Sequence, residues 1–275
     1  MIRALPLALL LVGALADGAA KADPLIFEGE VLASRQAVLS TRLDGVVAEV
    51  LFEGGERVAA GQPLIRLDPV DAELALAVAE AQIAAAEAEL GGANRNAARQ
   101  EALNARGISP DAVVGPARTR KAAAEAALVL AQVERDRAAL DLSRTVIRAP
   151  IDGFVSAPAV VLGQFLEAEA GPPLATVVTL DPALVAYRAP YTDRLETLSV
   201  TGAQSVEQLL AQIRVSLEMP GGAAYPVHAT PRSASPVVEA VTGTVTVWAS
   251  FPNPDGVLRP GMRVTVLSEI QGESQ

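Results

Sequence analysis

The stretch "TVIRAPIDGFV" (Thr145–Val155) decides how the chain is read, because it resumes a phrase that has already occurred, "LDGVVAEVL" at Leu43–Leu51. Leu43-Asp44-Gly45-Val46-Val47 aligns with Ile151-Asp152-Gly153-Phe154-Val155. Gly55 answers Gly163 at the same offset. After a two-residue slip, Gly61-Gln62-Pro63-Leu64 answers Gly171-Pro172-Pro173-Leu174. An internal repeat has to be settled before any other feature, since it dictates which segments belong together. Two half-motifs on either side of a long insert indicate one domain split in two. The glycines of the repeat, Gly45, Gly55, Gly61, Gly153 and Gly163, read as turn residues that need unusual backbone angles. None is a phosphate cradle, because no helix N-terminus follows at the required spacing.

The insert has a different texture. At Asp68-Pro69-Val70-Asp71 a helix should begin, with Asp68 as cap, Pro69 in the first helical position and Asp71 beside the free N–H groups of the first turn. Leu76, Ile83 and Leu90 then recur at heptad spacing, with Ala72, Ala79, Ala86 and Ala93 in the other seam position. Gly91-Gly92 should weaken the middle of this helix by about 2 kcal/mol relative to alanine. Arg106-Gly107 supplies its stop. A second helix is expected over 117–142, with Ala126, Val133 and Leu140 at heptad spacing. Ser109-Pro110-Asp111 offers an earlier start with Ser109 as N-cap, but Gly115-Pro116 should break a helix begun there. Ala149-Pro150 bounds the far end. Such an antiparallel hairpin would be a rod about 50 Å long, too thin for a globular core and suited to reach.

Composition bounds the rest. Of 275 residues, 51% are hydrophobic but only 3% aromatic, and much of the apolar count is alanine, which favours long thin helices. The net charge of −10 repels phosphate backbones, so nucleic acid is excluded as a partner. Residues 1–22, "MIRALPLALLLVGALADGAAKA", combine an early Arg, an apolar run and small-x-small sites ending at Ala16 and Ala22. This is the pattern of a cleavable secretory signal. Its apolar run of about 13 residues is short of the roughly 20 that span a bilayer. The absence of Cys closes disulfide, thiol and lipid-attachment chemistry, so the mature protein is expected to be exported and not lipid-anchored. Beyond Thr179, runs such as "TGTVTVWASFP" and "RVTVLSEI" alternate between Pro/Gly turns as in an antiparallel barrel or sandwich, with short helices at "DRLETLSV" and "SVEQLLAQI". The strand "PLIFEGEVLA" should join them, since a lone strand does not stay unpaired.

The expected order is therefore nested. A signal (1–22) precedes a β-barrel domain (23–36 and 180–270), which encloses the split domain (37–67 and 145–179). The helical hairpin (68–144) lies innermost, and 271–275 form a tail. No catalytic constellation emerges. His228 is the sole histidine, no Cys or carboxylate cluster stands at ligand spacing, and no Ser/His/Asp order with a nucleophile elbow occurs. Helix capping accounts for Asp68, Asp71 and Glu73. No enzyme activity, metal or cofactor is expected.

"LDGVVAEVLFEGGERVAAGQPLIRLD" and "IRAPIDGFVSAPAVVLGQFLEAEAGPPLATV" each resemble one half of a lipoyl- or biotinyl-like domain. With a hairpin between them and "VTGTVTVWASFPNPDGVLRPGM" (Val241–Met262) downstream, the chain resembles the periplasmic adaptors. These are the hemolysin-D-like membrane fusion proteins, and the RND-type branch fits best. The residues that carry the resemblance are Ala149-Pro150-Ile151-Asp152-Gly153, Thr242-Gly243-Thr244 and Asn253-Pro254 with Pro260-Gly261-Met262. It implies a mostly β fold: a split lipoyl-like domain with an inserted antiparallel coiled coil, plus a β-barrel domain.

The resemblance also implies a role. Adaptors of this family form a ring, usually of six, in the periplasm, held at the inner membrane by their partners. They join an inner-membrane RND-type transporter, which the barrel domain faces, to an outer-membrane channel, which the hairpin tips meet. The family's tip carries Arg, Leu and Ser in order, here Arg99, Leu103 and Ser109, with the Leu-to-Ser gap one residue short of the pattern. Leu103 would be an apolar knob in a groove between channel helices. Members usually continue into a membrane-proximal domain, which this chain, ending at Gln275, is expected to lack or to obtain from another chain. An adaptor for an ABC-type or other exporter, or an envelope scaffold without transport, shares most of these features. A swinging-arm carrier is excluded, because its modified lysine belongs at the turn the hairpin replaces. The only lysine past the signal, Lys121, lies in the second helix.

Overall fold

The computed structural model describes residues 24–168 and 171–270, so the expected signal and tail lie outside the described residues. The chain divides into two compact units. One comprises Ala33–Ala183 with Asn253–Arg259, and the other takes the residues before Ala33, Leu184–Pro252 and those from Pro260 on. The expected boundaries shift by a few residues, and 253–259 leave the barrel domain for the split domain. The cause is Asn253, 1% exposed. Its Nδ2 donates to Leu180 O and Leu258 O, its Oδ1 accepts from Leu258 N, and its own N–H reaches Asp181 Oδ1 at 2.8 Å.

The first unit begins with β1 (Leu25–Leu39, shared by both units), β2 (Gly45–Val50), β3 (Arg57–Val58) and β4 (Pro63–Leu67). Helices α1 (Val70–Ala105) and α2 (Asp111–Arg144) follow. The chain then returns as β5 (Val146–Arg148), β6 (Gly153–Val155), β7 (Phe165–Leu166) and β8 (Ala175–Pro190). The sequence repeat is realised as a crossed pairing. β2 pairs with β7, Gly45 opposite Leu166 and Val46 opposite Phe165. β6 pairs with β3 in the equivalent register, Gly153 opposite Val58 and Phe154 opposite Arg57.

Bonds beyond the ladders repeat in the same way. Gly55 N–H donates to Val155 O at 2.8 Å and Gly163 N–H to Val47 O at 2.9 Å. Asp152 Oδ1 accepts Ala60 N–H at 2.9 Å, and Asp44 Oδ1 accepts Ala168 N–H at 2.6 Å. Each half thus completes the other, and the equivalent pairs Val47/Val155, Val58/Leu166 and Leu64/Leu174 fill one shared core.

The glycines divide into two kinds. Gly55, Gly61 and Gly163 have φ of +87°, +84° and +80°, the turn conformation. Gly45 and Gly153 do not, which corrects the reading of all five as turns. Gly45 opens β2 against Leu67, and a Cβ on Gly153 would run into the Val178 carbonyl of the paired strand β8. Close approach of two backbones is the requirement there.

The hairpin is rooted in this domain by Leu67 N–H to Thr145 O at 2.8 Å and Asp68 N–H to Val46 O at 2.9 Å. Asp68 Oδ1 accepts Val70 N–H at 3.0 Å, and Pro69 is the boundary residue of α1. α1 runs unbroken through Gly91-Gly92. Its seam is the expected one: Ala79 and Ala93 are buried, while Ala72, Leu76, Ile83, Ala86 and Leu90 are half-buried.

α2 departs from expectation twice. It begins at Asp111 and passes through Pro116. Near a helix start a proline removes only one intrahelical bond, and Gly115 ahead of it has no Cβ to meet the ring. Its seam is Ala117, Ala124 and Ala131, buried, with Leu128, Ala138 and Leu142 half-buried. The expected seam residues Val133 and Leu140 are 57% and 48% exposed.

The second unit adds α3 (Tyr191–Thr201), α4 (Val206–Ala211), β9 (Ile213–Glu218), β10 (Pro231–Ala234), β11 (Thr244–Phe251) and β12 (Arg263–Ile270). Its strands follow the order β10-β11-β8-β1-β12-β9. The N-terminal strand is paired as expected, from Leu25 opposite Ser268 to Glu30 opposite Arg263. Val245, Val247, Ala249 and Phe251 alternate inward along β11. Tyr187 is 3% exposed and stacks on Phe27 at 5.5 Å. Burial pushes its phenol up to about 12, against the opposing pull of the Arg194 charge and a hydrogen bond with the Ser268 side chain.

Two predictions follow from this packing. Gly153→Ala should lower stability by about 2 kcal/mol or more, while Gly55→Ala should cost only about 1 kcal/mol, because open space surrounds its Cβ position. Thermal melts of the two variants test the order. Tyr187 ionises near pH 10 when unfolded and near 12 when folded, so its contribution is complete below pH 10 and is lost as pH rises from 10 to 12. Melting temperature over that window should fall more steeply for the natural chain than for Tyr187→Phe.

Candidate functional site

The tip of the hairpin is where the chain's exposed chemistry converges. α1 ends with Gly107 at φ +70°. Gly107 N–H donates to Asn104 O at 2.8 Å and Ile108 N–H to Leu103 O at 3.0 Å. This double closure over a left-handed glycine is a Schellman arrangement. It satisfies helix-end carbonyls and turns the chain sharply, which leaves the Ile108 side chain 67% exposed.

Side chains lock the loop from within. Asn104 Nδ2 donates both to Ser109 O at 3.0 Å and to Asp111 Oδ1 at 2.7 Å. Ser109 Oγ donates to Gln100 Oε1 at 3.2 Å. Ser109 therefore does not cap α2, whose boundary residue is Pro110 with no side-chain cap bond. The proline takes the boundary, and the hydroxyl crosses the loop to α1 instead. Below the tip Arg118 Nε holds Glu101 Oε1 at 2.6 Å across the two helices.

Of the residues expected from sequence, Arg99 lies exposed on α1 with its Nη2 on Asn96 Oδ1 at 3.1 Å. Leu103 lies one turn further on and is half-buried, and Ser109 is half-buried beside Gln100. The three fall on one end of the rod but are not in mutual contact. Ile108, with Val113 at 42% exposure, is the apolar surface that sequence reasoning missed. The available signal was an isoleucine following the helix-stopping Gly107, outside any seam position. Among the described residues no group of three or more His, Cys, Asp or Glu could hold a metal ion. No helix among them is long and apolar enough to cross a membrane.

Comparison with known proteins matches the two units separately. The family described as "RND MFP, barrel-sandwich hybrid domain" matches residues 35–180, and "RND MFPs, beta-barrel domain" matches residues 193–271. Multidrug resistance protein MdtE of Escherichia coli K12 is 28% identical over 239 residues, covering 87% of this chain and 62% of MdtE. Multidrug resistance protein MexA of Pseudomonas aeruginosa is 30% identical over 237 residues, 86% of this chain and 58% of MexA. The chain thus spans about three fifths of the length of these relatives. The membrane fusion protein Spr0693 from Streptococcus pneumoniae shares the fold with a TM-score of 0.68 at 17% identity, over 91% of this chain and all of the other.

The tip separates two kinds of variant. Ile108→Asp, at an exposed position, should leave stability within about 0.5 kcal/mol. Leu103→Asp buries part of a carboxylate and should cost about 1–2 kcal/mol. Denaturant titration of both, followed by helical circular dichroism, checks this order.

Proposed function

Because the chain belongs to the RND membrane fusion protein family, we propose that it is the adaptor of a tripartite efflux pump, joining an inner-membrane RND-type transporter to an outer-membrane channel. It works without catalysis, as a ring of copies, six in number, in the periplasm. Export by the signal at residues 1–22 delivers it there, and its partners hold it at the inner membrane. The barrel unit faces the transporter, and the hairpin tips meet the channel through Arg99, Leu103 and Ser109, with Ile108 beside them.

The observation that carries the reading is the tip itself. Internal hydrogen bonds fix the loop, so an exposed isoleucine and arginine are presented at the end of a long rod at little cost in ordering on contact. An apolar side chain held this way suits a groove between helices of another protein. The names of MdtE and MexA, multidrug resistance proteins, accord with an efflux role.

The test is a photo-reactive amino acid placed at position 103, and separately at 108, in cells. Captured partners are identified by mass spectrometry. Capture of an outer-membrane channel protein is expected from both positions. Capture of the chain alone, or of nothing, would replace the adaptor with an envelope scaffold. As a second readout, Ile108→Asp should abolish export while secretion and melting stay unchanged, a contact hot spot being worth about 2 kcal/mol in each copy.

A further inference from the structure

The residues expected on the α2 seam are a heptad on the wrong face for the hairpin's own core, and they are not alone. Along α2 the outward positions Ala126, Leu130, Val133, Arg137 and Leu140 keep heptad spacing. Leu130 and Val133 are 63% and 57% exposed. Along α1 the outward positions Val70, Leu74, Ala77, Ala81, Ala84 and Ala88 keep the same spacing, with Val70 and Leu74 53% and 60% exposed. At 3.6 residues per turn both stripes lie roughly 150° or more from the internal seam. The rod therefore carries an apolar seam on each of its two outer sides.

The two sides are complementary to each other. The cross-helix ion pairs Arg120–Glu89 and Arg118–Glu101 set which residues of α1 and α2 are level. By that alignment Val133 stands level with Ala81, Leu130 with Ala84 and Arg137 with Ala77. Large side chains on one side thus meet alanine holes at the same height on the other, the size pattern of knobs-into-holes packing. Charge agrees with shape. Between Val70 and Leu90, α1 carries five carboxylates (Asp71, Glu73, Glu80, Glu87, Glu89) and no cation. Between Arg118 and Arg144, α2 carries six cations against four carboxylates. Asp71, Glu73, Glu80 and Glu87 have no ion pair within the chain, nor has Arg137.

We infer that the outer side of α1 packs against the outer side of α2 of a second copy, with Val133 and Leu130 seated over Ala81 and Ala84. The interface joins unlike faces, so it repeats from copy to copy and closes into a ring. The ring rests on the adaptor reading; the pairing of the two faces does not.

The natural absence of Cys makes the test clean. Full-length chains carrying Ala81→Cys and Val133→Cys singly are co-expressed and exposed to a mild oxidant in cells. Disulfide dimers are expected only when both variants are present, and the double variant should give a ladder of multimers. A bond within one chain is ruled out, because the two outer sides are about two helix diameters, ~20 Å, apart while a disulfide needs Cα atoms within ~7 Å. Dimers of either single variant alone would mean like faces pack together and would overturn the inference. So would the absence of any crosslink while circular dichroism shows intact helices. Channel capture at the tip with no crosslink here would sink this interface and leave the adaptor reading standing.

Discussion

Neither half of the split domain can pair its own strands, because the partner of β2 is β7 and the partner of β3 is β6, on the far side of the hairpin. This crossed pairing is the constraint from which the rest follows. It places Val47 and Val155 in one core, lets Asp44 and Asp152 each hold the backbone of the opposite half, and brings the ends of the insert together at Leu67 and Thr145. A half-domain alone would expose an unpaired edge and half a core, so the two segments form only together.

The hairpin solves a different problem with poorer materials. Its buried seam residues are alanines, Ala79, Ala93 and Ala97 facing Ala117, Ala124 and Ala131. Alanine buries little area but favours helix and lets the two axes approach closely. A seam of this kind contributes less burial than a leucine zipper, and the rod leans on its anchorage at the root and on the closed loop at the tip. Those are the two places where side-chain bonds to backbone concentrate, through Asp68 at one end and Asn104 at the other. The outer leucines and valines then remain free for surfaces beyond the chain.

Much of this was legible in the residues. The repeat announced the split domain, and Asp68-Pro69 and Arg106-Gly107 marked the ends of α1. What escaped has identifiable causes. α2 carries two heptad registers, and periodicity gives no sign of which one faces its partner; burial chose the alanine register and left Val133 and Leu140 outside. Pro116 stops a helix in propensity terms, yet its position near the helix start limited the loss to one bond. Gly153 looked like a turn because glycine signals only a missing side chain, and whether an angle or a neighbouring backbone requires it is decided by the strand opposite. At the tip, the Arg, Leu and Ser positions were visible, whereas Ile108 depended on which way the closure turned the chain. Asn253 gathered 253–259 into the split domain through bonds to Leu180 and Leu258 that no local pattern announces.

The rooting of the hairpin frees one quantity from all the others. Its two strands of chain leave and re-enter the β-domain side by side, and the tip closes on its own hydrogen bonds, so neither end registers how many turns lie between. Seven residues added to α1 and a matching seven to α2 would preserve every seam position and lengthen the rod by about 10 Å. The span of the molecule is thereby a separately adjustable variable, set by counting heptads in pairs, while the folded base stays the same.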